Sequence, residues 1–143
     1  ASTLGLNHIL TLGKGGAWSC HPMEHELSAY YDVTHGEGLA VLTPAWMSYV
    51  LGEQTVSRFA MYARNVWDIY EKDKYRAAYM GIKRTREFFS ACGLPDTLAK
   101  LGIGRERFEE MAAEAVRTSG IATRSYVHLQ KEDIVKIFDS CAV

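Results

Sequence analysis

Apolar residues recur along this chain at intervals of three and four, the period of a helix with one buried face. In EQTVSRFAMYARNVWDIY (53–70), Val56, Phe59, Ala60, Ala63, Trp67 and Tyr70 follow that period and predict one helix. A second is predicted from Tyr75, Ala78, Tyr79, Ile82 and Phe89, ending at Gly93 with Pro95 just beyond. Glycine supplies the left-handed residue that closes a helix, and proline discourages its continuation. Asp96 is placed to cap a short turn carrying Leu98 and Leu101. Phe108, Met111, Ala112, Ala115 and Val116 mark another helix, and Ile134, Ile137, Phe138 and Cys141 a last one.

The front of the chain continues the pattern. GKGGAWS reads as a loop, after which Ser19 or Cys20 starts a helix running to about Tyr31, with Pro22 tolerated in its first turn. Its core face is expected to be Met23, Leu27 and Tyr30 or Tyr31. DVTHG interrupts the period, and a second helix beginning near His35 and Gly36 carries Leu39, Val41 and Leu42. Pro44 lies inside that pattern and is expected to kink the helix, or to end it and start another. Strand signals are nearly lacking: IATRSYVHL (121–129) is the one candidate and reads better as an extended connection. The pattern predicts an all-α helical bundle of about six to eight helices, without internal repeats.

Composition narrows the partners. The chain has 143 residues, 48% of them hydrophobic, enough for one domain with a real core. Its 17 acidic and 16 basic residues nearly cancel, and no Lys/Arg run is interleaved with aromatics, so neither nucleic acid nor a membrane surface is expected as partner. The longest mainly apolar stretch, GLAVLTPAWMSYVLG, is too short to span a bilayer and contains a proline. No signal-peptide pattern opens the chain. Cys20, Cys92 and Cys141 are odd in number and widely spaced, which suits a reducing, cytoplasmic compartment.

The candidate chemistry is concentrated in HPMEHELSAYYDVTHG (21–36), which holds three of the five histidines. His21 and His25 are four apart and share a helix face; His35, across a turn, can approach the same point from another side. Three convergent imidazoles suit divalent iron, zinc, cobalt or nickel. Surface histidines near helix ends are the alternative, and spacing alone leaves both open. HPMEH also fits the inverted zinc-peptidase pattern HxxEH, with Glu24 as base. That pattern is weak in so short a chain without a further downstream ligand. Cys20 reads as a small buried residue rather than a soft ligand, and His8 and His128 as structural or solvated.

The longer stretch WSCHPMEHELSAYYDVTHGEGLAVLTPAWMSYV resembles the histidine-rich signature of iron-containing alcohol dehydrogenases, especially the butanol-dehydrogenase-like branch. The match runs without a gap from Trp18 through His21, His25, Ser28–Ala29, Val33, His35 and Gly36 to Gly38. ASTLGLN resembles the helix preceding that signature and LQKEDIVKIFDSCA the closing helix of the family, so the resemblance covers the whole chain.

The resemblance implies the dehydroquinate-synthase-like helical domain of these enzymes, with residues 1–143 forming the C-terminal metal-binding part. It implies that His21 and His35, fourteen residues apart, are metal ligands, and that His25 lies between metal, substrate and nicotinamide without ligating. The cofactors it implies are a divalent metal, Fe2+ or Zn2+, and NAD(P), with a small alcohol or aldehyde as substrate. Family members carry an N-terminal α/β nucleotide-binding domain and an upstream DxxxH; the sequence shows neither, and GKGGAW lacks a phosphate-loop signature. The chain is accordingly expected to be inactive alone and to self-associate as a homo-oligomer through surfaces its missing partners would cover. A noncatalytic helical fragment or assembly module is the alternative.

Overall fold

Two aspartates in left-handed backbone conformation decide where helices stop in the computed structural model, which describes residues 16–143. The stretch ASTLGLN and His8 lie outside the described residues. Helix α1, Cys20–Tyr31, is halted by Asp32 at φ 52°, whose amide donates to the Ser28 carbonyl. Aspartate tolerates this region better than most side chains because its short carboxylate can bond locally. Three residues then suffice to reverse the chain into α2, His35–Tyr49, where the Thr34 carbonyl accepts from the Gly38 amide.

Pro44 does not end α2, which runs on to Tyr49. An interior proline costs about 3 kcal/mol. Here Val41, Leu42, Ala45 and Met47, all buried around it, offset that cost by packing.

Helix α3, Val56–Trp67, is stopped by Asp68 at φ 54°. Helix α4, Lys74–Ala91, starts at Asp73, whose carboxylate accepts from the Arg76 amide at 2.8 Å. It ends at Cys92, with Gly93 left-handed at φ 80°. The following short turn, Ala99–Leu101, is capped differently from the sequence expectation. The Thr97 hydroxyl accepts from the Lys100 amide, while Asp96 pairs with the Lys100 ammonium at 2.7 Å. Helix α5 spans Phe108–Thr118 and α6 Lys131–Ser140. A reciprocal cap opens α6, in which the Gln130 amide donates to the Asp133 carboxylate at 2.8 Å. Residues 121–129 form turns, with an isolated bridge from Ala17 to Ser125 and no strand.

Helices α1, α2, α5 and α6 pack in a ring, α1 on α2 and α5, and α6 on α5 and α2. Met23, Leu27, Leu42, Met111, Ile134, Ile137 and Phe138 fill its centre, with Phe108 and Phe138 rings 5.3 Å apart. Tyr49 ties α2 to α6 by donating to Asp133 at 2.7 Å; burial, reinforced by that carboxylate, pushes the phenol up to about 12. The hairpin α3–α4 attaches to α2 through α4. Among the described residues no helix is long and apolar enough to cross a membrane.

Within that hairpin the expected face of α4 is buried at Ala78 and Ile82, while its tyrosines lie outside. Tyr70, Tyr75 and Tyr79 are 74%, 47% and 65% exposed, and the buried residues of α4 are Ala77, Ala78, Gly81, Ile82 and Thr85. Small residues let the backbones approach: a Cβ on Gly81 would lie 2.7 Å from the Ala63 Cβ and 3.1 Å from its Cα. Gly81→Ala is therefore expected to lower the urea midpoint. Overpacking against backbone costs about 1–3 kcal/mol, and the gain in helix propensity returns only about 1 kcal/mol. A raised midpoint would show that the seam is loose.

Candidate metal centre

The site forms where α1 and α2 meet. His21 sits in the first turn of α1 and His25 one turn later on the same face. His35 is the first residue of α2, returned to that face by the left-handed turn at Asp32. The ring centroids form a triangle, 6.1 Å from His21 to His25, 5.2 Å from His21 to His35 and 5.6 Å from His25 to His35. His25 and His35 are exposed, whereas His21 is half-buried with Trp18 edge-on at 4.0 Å. Burial, and then the neighbouring His35 and His25, push the His21 imidazole below the usual histidine range, with Glu24 opposing. A neutral imidazole is the form that binds a metal.

Beneath the rings lies a carboxylate that the helical pattern flags and sequence reasoning set aside. Glu24 shares the buried stripe of Met23 and Leu27 and is fully buried. A charge there is costly unless hydrogen-bonded. Ser28 Oγ, one turn on, donates to Glu24 Oε1 at 2.5 Å, and Glu24 Oε2 pairs with His35 Nδ1. The Ser28 hydroxyl also lies 3.1 Å from the Val33 carbonyl, tying this cluster to the α1–α2 turn. Gly38 makes the room: a Cβ there would come within 2.7 Å of Glu24 Cγ and 2.9 Å of Oε1. The signal available in the sequence was a polar residue on an apolar stripe.

Donor atoms of Glu24, His25 and His35 fall within 4.8 Å of one another, a grouping that leaves His21 aside. Both Glu24 oxygens are engaged below the rings, however, one by Ser28 and one by His35 Nδ1, which leaves His21, His25 and His35 Nε2 as the candidate donors. The same engagement weakens the HxxEH peptidase reading, which needs Glu24 facing a reacting water. Cys20 is a poor candidate ligand, because burial pushes its thiol up to about 12 against a smaller opposing hydrogen bond from Thr43. His128 is exposed, in the connection before α6. The imidazole set fits iron or zinc by donor chemistry.

Residues 1–142 match the model for the C-terminal part of the Fe-containing alcohol dehydrogenase family. The chain is 52% identical over 139 residues to NADH-dependent butanol dehydrogenase A of Clostridium acetobutylicum, covering 96% of this chain and 36% of that protein. It is 46% identical over 140 residues to butanol dehydrogenase B of the same organism, again covering 36% of the relative. The crystal structure of NADH-dependent butanol dehydrogenase A from Thermotoga maritima superposes with a TM-score of 0.85 at 28% identity, covering 99% of this chain and 37% of that one. The chain thus spans roughly a third of the length of these relatives.

Proposed function

Because the chain belongs to the iron-containing alcohol dehydrogenase family, we propose that it is the metal-binding helical part of an NAD(P)-linked alcohol dehydrogenase or aldehyde reductase. The observation carrying this reading is the convergence of His21, His25 and His35 at the α1–α2 turn. His21 and His35 would hold a divalent ion, Fe2+ or Zn2+. A divalent ion held there supplies Lewis acidity toward the oxygen of an alcohol or aldehyde.

The roles left to this chain are positional and protonic. Trp18 braces the His21 ring edge-on and limits its rotation. His25, exposed at the rim between the other two rings, would orient the substrate oxygen and exchange its proton with solvent. Catalytic sites of this kind need three or more protein ligands and an open position. Two histidines fall short of that, so the remaining ligands and the nicotinamide site are assigned to polypeptide beyond these 143 residues. A cytoplasmic setting follows from the same reading.

Substituting this chain for the matching third of the Clostridium acetobutylicum butanol dehydrogenase A tests the proposal. The chimera should reduce butanal with NADH within about tenfold of the parent, a cost of about 1.4 kcal/mol in barrier. The 143-residue chain alone should show no turnover. A folded, metal-loaded chimera without reductase activity would leave the noncatalytic module as the better description.

A further inference from the structure

Glu24 has no part in the ligand assignment above, yet it is the fully buried carboxylate beneath the site, in a space that Gly38 leaves open. We infer that Glu24 is a positioning residue: it holds His35 with the proton on Nδ1 and so presents Nε2 to the metal. This rests on the reading of His35 as a ligand.

Oε2 pairs with His35 Nδ1, and that nitrogen cannot serve a metal while it donates to a carboxylate. Oε1 is held by Ser28, so the carboxylate cannot swing away without abandoning a partner in a buried position. Outer carboxylates of this kind fix the tautomer and ring orientation of a ligating histidine and raise its basicity. His35 needs such an anchor because its ring is exposed at the first residue of a helix, whereas the His21 ring is half-buried with Trp18 edge-on against it. Gly38, one turn after His35, completes the arrangement by admitting the carboxylate between the two helices.

The test uses the chimera with the Clostridium acetobutylicum relative, which carries the remaining ligands, labelled with 15N in its histidines. Long-range 1H–15N correlation reads the His35 tautomer, and zinc titration reads affinity. Wild type should show His35 protonated on Nδ1, with zinc shifting the His21 and His35 rings. Glu24→Ala should release the tautomer and weaken zinc binding by about 10- to 100-fold. Glu24→Gln keeps an acceptor oxygen and should retain the tautomer with a smaller loss. Should Glu24→Ala disturb folding, the double variant Glu24→Ala/Gly38→Ala refills the vacated space without restoring the acceptor. It should recover the fold but not the tautomer. Zinc moving His21 and His35 in wild type, with tautomer and affinity unchanged in Glu24→Ala, would overturn the inference. Zinc moving neither ring would instead overturn the ligand assignment on which the inference stands.

Discussion

In the chimera with the Clostridium relative, His35→Ala is expected to strip the metal and lower kcat/KM by about a thousandfold, some 4 kcal/mol of transition-state stabilisation. His21→Ala should behave alike. The loss exceeds that for an outer-shell partner, about 10- to 100-fold, because a donor atom disappears and the electrophile leaves with it. His25→Ala should separate the two effects, keeping metal content near one ion per chain while activity falls by about a hundredfold, the lower range for general acid–base groups. Metal analysis beside steady-state kinetics distinguishes the assignments. Should His25→Ala lose the metal while His21→Ala keeps it, the grouping of Glu24, His25 and His35 becomes the ligand set and His21 a bystander.

Phe138→Ala is expected to cost about 3–5 kcal/mol of stability. Phe138 is fully buried where α6 meets α5, with the Phe108 ring 5.3 Å away and Ile134 and Ile137 on the same helix face. Truncation removes the ring's own transfer free energy and leaves a cavity that three packed helices cannot close. Domains of this size are held by about 5–15 kcal/mol, so the variant should unfold at a much lower urea concentration or fail to accumulate. Tyr79→Ala on the outer face of α4, where the side chain is 65% exposed, should change the midpoint little. Equal effects at the two positions would mean that the described core does not carry the stability.

Helix boundaries were legible in the sequence wherever a strong local device marks them. Cys20 to Tyr31 and the Gly93 stop follow from apolar period and turn chemistry. Where packing competes with local preference, the pattern left the outcome open or was only partly met. Pro44 is carried through α2 because its neighbours are buried on several sides, a fact of tertiary structure. Of the face expected on α4, Ala78 and Ile82 are buried but Tyr75 and Tyr79 are not, since the close approach of α3 at Gly81 leaves no room for rings there. The three histidines were visible as a cluster. Spacing favoured His21 with His25, family resemblance favoured His21 with His35, and the folded geometry brings all three rings within 6.1 Å. Glu24 was read only as an HxxEH base, although its place on the apolar stripe of α1 was visible, because its meaning depends on Gly38 fourteen residues away leaving space for it.

The close seam between Ala63 and Gly81 bears on the order in which the molecule assembles. Its helices are joined by six residues, 68–73, so closing that hairpin costs little chain entropy. The helical ring is different: α1 and α2 must find α5 and α6 across the whole hairpin inserted between them. Local contacts form quickly and distant ones slowly. The hairpin is thus the natural first arrival, and beside Ala63, Ala77, Ala78 and Gly81 it buries Val56, Phe59 and Ile82. Because α3 packs on α4 and α4 on α2, the two helices are expected to exchange their amide protons as one unit, separately from the ring that carries the histidines at its edge.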